Sequence, residues 1–147
     1  MTKVYLAGNI ANLFYYTVTH WRKDATEKLE KYDYDVLDPM RGKEHLEGTI
    51  VGFQHNSTAC TSSEIFNRDV QDVYDCDIVL AYLTGYSIGT SWELGYAYAL
   101  GKYIMVVTTP ELIEHPFLSE SSDWIGEDLD AAIEYLGKVV NNFFLTN

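Results

Sequence analysis

With 147 residues the chain has the length of one domain, enough to bury a core without disulfide or metal staples. Its 22 acidic and 10 basic side chains leave a net charge of −12, which offers no positive field to a phosphate backbone and excludes polymeric nucleic acid as an expected partner. Hydrophobic residues make up 47% and charged ones 22%, the proportions of a globular chain, and no apolar run reaches the ~18 residues that cross a membrane.

Residues 4–7 form a short apolar run closed by Gly8, as in a buried parallel strand, and no basic-then-apolar leader precedes it, so a soluble cytoplasmic protein is expected. Phe14, Val18, Trp21, Ala25, Leu29 and Tyr32 then recur at spacings of 4, 3, 4, 4 and 3, which predicts one apolar stripe along a helix. Residues 34–37 read as a second strand, stopped by Asp38-Pro39 because proline pushes its predecessor out of helical geometry. Residues 40–61 carry glycines, His55 and little periodicity, and read as a long loop that covers something. A serine-capped helix is expected from Ser62 or Ser63, burying Phe66, Val70, Val73 and Tyr74. Residues 78–83 are the most buried-looking strand, 84–91 a Gly/Ser/Thr-rich turn, 92–100 a packed helix stopped by Gly101, and 103–107 a fourth strand. Pro110 and Pro116 mark another loop, and residues 128–140 a last helix with Leu129, Ile133, Leu136 and Val140 on one side. Strand and helix in alternation predict one α/β domain over residues 1–147, a doubly wound parallel sheet between two helical layers. Its ligand site then lies beyond the carboxyl ends of the strands.

Little points to metal or hydrolase chemistry. Cys60 and Cys76 are 16 residues apart without a CxxC pair, and His20, His45, His55 and His115 are scattered and outside any nucleophile motif. Asn56-Ser57-Thr58 fits a glycosylation sequon but reads as a polar loop. Carboxylates are the better candidates. If the helix starts at Trp92, Glu93 sits in its first turn, where the helix dipole favours the charged form by about 0.3–1 kcal/mol and readies it as a nucleophile. Asp69 borders the apolar face of the preceding helix, and a half-buried acid there would titrate near neutrality and pass a proton to a leaving group. Arg68, Asp72, Asp75 and Asp77 read as a solvated face or as caps.

Three segments carry a resemblance: Val4-Tyr5-Leu6-Ala7-Gly8; Asn67-Arg68-Asp69 followed by Cys76-Asp77-Ile78-Val79; and Ser87-Ile88-Gly89-Thr90-Ser91-Trp92-Glu93-Leu94-Gly95 with Ala97 and Ala99-Leu100-Gly101-Lys102. Together they resemble the nucleoside 2-deoxyribosyltransferase family, over the first strand and residues 67–107. The resemblance implies a flavodoxin-like fold and cleavage of the bond between a nucleobase and C1′ of a 2-deoxyribose. It makes Glu93 the nucleophile that forms a glycosyl ester, Tyr5 the residue that orients it, and Asp69 the acid that protonates the departing base, in the manner of a retaining glycosidase. Gly8, Asn9, Ser87, Gly89 and Ser91 are the expected substrate-binding positions. No metal or organic cofactor is called for, since both reacting groups are side chains.

The substrate is a nucleoside or nucleotide and a free nucleobase, with two outcomes open. Many transferases of the family carry an acid six positions before the nucleophile, on the sugar's 5′-hydroxyl; here that position is Ser87, whose hydroxyl, with the amides of Ile88 and Gly89, would welcome a 5′-phosphate. That favours the related deoxynucleoside 5′-monophosphate N-glycosidases. Their Gly-Ser-Ile-Arg-like turn is Gly8-Asn9-Ile10-Ala11 here, without the arginine, so a phosphate would recruit Arg41, Arg22 or Ser119 of the partner subunit. A catalytically silent nucleotide-binding module is the alternative of another class. A receiver domain would want paired acids after the first strand, where this chain has Gly8-Asn9. A homo-oligomer is expected, because family sites are completed by a neighbour, aromatic residues are abundant, and the tail from Asn141 to Asn147 carries apolar side chains that a monomer would expose.

Overall fold

A computed structural model describes residues 1–52 and 61–146, with side chains through Phe143. Short apolar runs buried on both faces form the three central strands, β1 Lys3–Gly8, β3 Ile78–Tyr82 and β4 Tyr103–Val107, and two half-buried three-residue strands, β2 Asp35–Leu37 and β5 Trp124–Gly126, form the edges. All pair in parallel in the order β2-β1-β3-β4-β5, the flavodoxin-like order, whose direction of winding reverses between β1 and β3. The β1–β3 register runs from Val4 opposite Ile78 to Gly8 opposite Tyr82, so both strands end together at the site edge.

Alternation along β1 divides the core. Val4 and Leu6 pack with Ala25 and Leu29 of α1 (Tyr15–Glu30) and with Ile133 and Leu136 from the C-terminal helical segment. Tyr5 and Ala7 face the other layer, with Val73 of α2 (Ser62–Asp75) and Leu94 and Ala97 of α3 (Ile88–Ala99). Short helices α4 (Pro110–Ile113) and α5 (Pro116–Ser119) follow β4, and α6 (Leu129–Tyr135) continues through a π-helical turn into α7 (Asn141–Thr146). None of the helices among the described residues is long and apolar enough to cross a membrane.

Several expectations need correction. α1 begins after Phe14, which is 62% exposed and bridges to Ile50 rather than joining the buried stripe. α2 leaves Phe66 and Tyr74 more than half exposed, because it packs through Val73 and Cys76 and turns the row of Ile65, Asp69 and Asp72 towards the sheet edge. Asp72 is therefore buried, not part of a solvated face. The described part of the expected long loop is packed: Met40, Leu46 and Val51 form a separate small cluster with Tyr15 and Val18, around a 3-10 turn at Glu44–Leu46. His55, Cys60 and the sequon lie outside the described residues. β5 was absent from the sequence reading, since three residues carry no period. Asp123 before it holds the Ile104 amide at 2.8 Å and sets it beside β4.

Candidate active site

α3 starts four residues earlier than its apolar run suggests. Ser87 is the N-cap, its hydroxyl accepting from the Thr90 amide at 3.2 Å, so Ile88 opens the helix and Glu93 falls in its second turn. Thr90, Leu94 and Ala97 are the buried positions of α3, and Glu93, three after the first and four before the last, shares their inner face. The dipole argument lapses with this shift, because that field fades within the first turn. What Glu93 meets is burial, which pushes its carboxyl up to about 8, reinforced by Asp69 and opposed by the Tyr5 hydrogen bond and by Arg22.

Tyr5 reaches the same place from β1. Its ring is 1% exposed, its hydroxyl donates to Glu93 Oε2, and burial together with the neighbouring carboxylates holds the phenol well above its ordinary range. Asp69 arrives from α2. Burial pushes its carboxyl up to about 6, with Lys43 the strongest opposing influence, and its charge also acts on Tyr5 and Glu93. Its Oδ1 is buried without a hydrogen-bond partner among the described residues, an acceptor left for a ligand to meet. Beside it Asp72 is held by Arg41, with Nη1 2.7 Å from Oδ2 and Nη2 donating to Oδ1 at 2.9 Å. Three elements, β1 in the sheet and α2 and α3 in the helical layer on one face of it, thus contribute one acidic or phenolic group each to the carboxyl edge of β1 and β3, where this fold binds ligands.

The expected binding positions fall into two sorts. Asn9 spends its side chain on the scaffold: Oδ1 accepts from the Thr84 amide at 3.1 Å, and Nδ2 donates to the Gly85 and Tyr86 carbonyls at 3.3 and 3.1 Å. The turns after β1 and β3 are thereby tied together. Gly8 has a packing reason to be glycine, since a Cβ there would stand 2.7 Å from the Tyr82 carbonyl and 2.9 Å from the Trp21 ring. Gly89 and Ser91 are exposed on α3, and Ser91 and Ser87 line a cavity of about 710 Å³ with Leu94, Tyr98, Leu112 and Phe117. That cavity lies between α3 and α4–α5, and Tyr5, Asp69 and Glu93 do not line it. Of the phosphate candidates, Arg22 is removed: it is 0% exposed and committed to three backbone carbonyls. The sequence reading gave Arg22 no place in the core, although its position four after Val18 and three before Ala25, inside the apolar stripe, signals a buried cation.

The sequence profile of the nucleoside 2-deoxyribosyltransferases matches residues 4–142. Among solved structures, the 2-deoxyribosyltransferase of Leishmania mexicana is 19% identical with a TM-score of 0.68, over 95% of this chain and 99% of that one. The 2-deoxyribosyltransferase of Bacillus psychrosaccharolyticus is 24% identical with a TM-score of 0.67, over 91% and 92%. The CMP N-glycosidase BcmB of Clostridium botulinum is 19% identical with a TM-score of 0.57, over 92% and 98%. These likenesses speak for the fold, since function resides in sites rather than in folds. No functionally curated protein matches the chain by sequence. The profile match spans nearly the whole chain and includes Tyr5, Asp69 and Glu93, and on that ground the chain belongs to the nucleoside 2-deoxyribosyltransferase family.

Proposed function

We propose that this protein cleaves the N-glycosidic bond of a 2′-deoxynucleoside or its 5′-monophosphate and transfers the deoxyribosyl group to another nucleobase through a glycosyl ester on Glu93. The observation that carries this reading is the Tyr5 hydroxyl bonded to Glu93, with the buried, unpartnered Oδ1 of Asp69 in the same acid cluster. Glu93 attacks C1′ as a carboxylate, and the C1′–N bond breaks with its electron pair passing to the base. Asp69, protonated, gives its proton to the leaving base nitrogen. Tyr5 fixes which Glu93 oxygen is free to attack. In the second half, an incoming base displaces Glu93 at C1′ and returns a proton to Asp69. Between about pH 6 and 8 the two acids share one proton, and the exchange runs through the minority form in which Asp69 holds it and Glu93 is ionised.

A second reading, hydrolysis of a deoxynucleoside 5′-monophosphate to free base and sugar phosphate, is favoured by one feature. The N-terminus of α3 bears Ser87 and no carboxylate, so its first-turn amides meet a phosphate without like-charge repulsion. Water then takes the place of the acceptor base. Brief exposure of the protein to deoxyinosine or to each deoxynucleoside monophosphate, followed by intact mass spectrometry, separates the cases. A deoxyribosyl adduct, lost in E93Q and discharged by adenine into a new nucleoside, supports transfer. A deoxyribose-phosphate adduct discharged by water supports hydrolysis. Tight nucleotide binding with no adduct and no base release over hours overturns both and leaves a silent binding module.

The working unit is proposed to be a homo-oligomer built on α3. The only charged residue of this helix is Glu93, turned inward, while Ile88 is 90%, Trp92 47% and Tyr98 62% exposed. In a chain of net charge −12 this is a neutral face on which a second copy meets no like-charge repulsion, and Phe117, 82% exposed beside the cavity, gives each copy an aromatic knob as well as a groove.

A further inference from the structure

The register of the first two strands leaves a gap that the chain fills with a charge. The Asp35 amide donates to the Thr2 carbonyl at 2.9 Å, and β1 and β2 stay paired up to Tyr5 opposite Leu37. Advancing that ladder two residues at a time brings the Leu6 carbonyl to face residue 39, and Pro39 has no N–H to give. Arg22, projecting from α1, takes over. Its Nε donates to the Leu6 carbonyl at 3.4 Å and its Nη2 to the Gly8 carbonyl at 3.2 Å, while Nη1 closes on Val18 at 2.7 Å. The guanidinium lies 4.5 Å from the centre of the Trp21 ring.

Two orphan carbonyls need two donors, which an uncharged amide supplies. A guanidinium brings a full positive charge into a position with no exposure, at a desolvation cost that draws its proton affinity down. Its carboxylate neighbour, Asp38, stands 3.8 Å from Nε, with its Oδ1 also accepting from the Met40 amide at 2.8 Å. On the other side of the Leu6 peptide is Tyr5, and beyond it the acid cluster. The Tyr5 hydroxyl bonds Glu93, and the charges that act on Glu93 are those of Asp69 and Asp72 from α2 and of Arg22 from α1; Arg41, Lys43 and Arg68 act on Asp69.

We propose that Arg22 is a positioning residue for the chemistry at Glu93: through Leu6 and Gly8 it holds the strand that carries Tyr5, and its buried charge is the counter-ion against which Glu93 becomes a carboxylate. The catalytic meaning of this rests on Glu93 being the nucleophile, so the test reads the charge of Glu93 apart from turnover. Carbon-13 NMR of the glutamate carboxyls in substrate-free protein, with the Glu93 signal assigned by its loss in E93Q, follows its titration in the wild type, R22M, R22K and D38N. In R22M the midpoint rises by about one pH unit, and in R22K, which keeps the charge, most of the rise is reversed. In D38N, where the amide oxygen still accepts from Met40 but no longer masks Arg22, the midpoint falls by roughly half a unit. The alkaline limb of kcat/KM moves with each midpoint. A capping role alone lowers activity or stability and leaves the midpoints in place, and unchanged midpoints in R22M and D38N overturn the proposal. If R22M does not fold, D38N decides it: a midpoint that falls upholds the proposal, and one that stays in place overturns it. Shifted midpoints in a protein that forms no sugar adduct uphold the coupling of Arg22 to Glu93 and overturn instead the nucleophile reading.

Discussion

At the residue scale, burial governs Glu93 more than the backbone around it does. A carboxyl drawn from its ordinary 4.5 to about 8 takes up a proton in the fold that it would release in the unfolded chain. Between those values the folded state binds more protons than the unfolded one, so stability falls as pH rises through this window; Asp69, drawn from 3.8 to about 6, adds a smaller effect of the same sign. E93Q is therefore expected to unfold at a higher temperature than the wild type at pH 8 and to lose much of the pH dependence of Tm, at about 2–4 °C per kcal/mol for a chain of this size. Calorimetry from pH 5 to 9 checks this, and a wild-type Tm that climbs across the range contradicts it. The same two acids set the rate. They titrate as a coupled pair, and the reactive form, Glu93 ionised and Asp69 protonated, is the minority form because Glu93 is the weaker acid of the two. A bell-shaped kcat/KM with limbs near 6 and 8 follows. D69N is expected to reduce turnover about 10²–10⁴-fold and to remove one limb. A wild-type rate that stays level from pH 5 to 9 would remove Asp69 from the role.

At the element scale, α3 shows how a helix start decides a site. The apolar run from Trp92 to Leu100 marks the buried length of the helix, but the start is set four residues earlier by Ser87, which caps the Thr90 amide. Had the helix opened at Trp92, its dipole would have acted on Glu93; opening at Ile88, it points its free amides at the turn held by Asn9. S87A is expected to cost about 1 kcal/mol of stability, whereas S87D keeps a good cap and places a negative charge where a phosphate would sit. If 5′-monophosphates are substrates, S87D raises their KM while leaving that of the free nucleoside nearly unchanged. Equal effects on both substrates count against phosphate binding at this helix end. α2 teaches the same lesson about faces. Its stripe of Phe66, Val70, Val73 and Tyr74 is visible in sequence, yet Phe66 lies against Trp92 at the surface, ring centres 5.3 Å apart, while the row with Asp69 and Asp72 turns inward.

At the scale of the molecule, α3 leaves Ile88 and Tyr98 exposed and Trp92 half exposed beside Phe66, and the proposed oligomer covers this face and the cavity next to it. Sedimentation equilibrium is expected to return at least twice the 16.8 kDa chain mass, and Y98D to lower it to one chain. A concentration-independent monomer mass in the wild type excludes this interface. The sequence by itself determined the architecture, because continuous apolar runs such as residues 78–82 alternate with helical stripes such as Val18 to Leu29, and that alternation buries the runs in a parallel sheet and the stripes against its face. It also supplied Glu93 and Asp69 as candidates, through their places on two helices as well as through motif order, and Tyr5 through motif order alone. Only the tertiary structure decided their state. Tyr5 and Glu93 are 88 residues apart and meet because β1 pairs with β3 and α3 packs back on both, and the burial that raises both acids comes from layers no local pattern encodes. Arg22 is the clearest instance: its place in the apolar stripe is legible, but its partners are the Leu6 carbonyl, which faces Pro39 and finds no N–H there, and the Gly8 carbonyl beyond the end of β2, and both are fixed by the register between two strands.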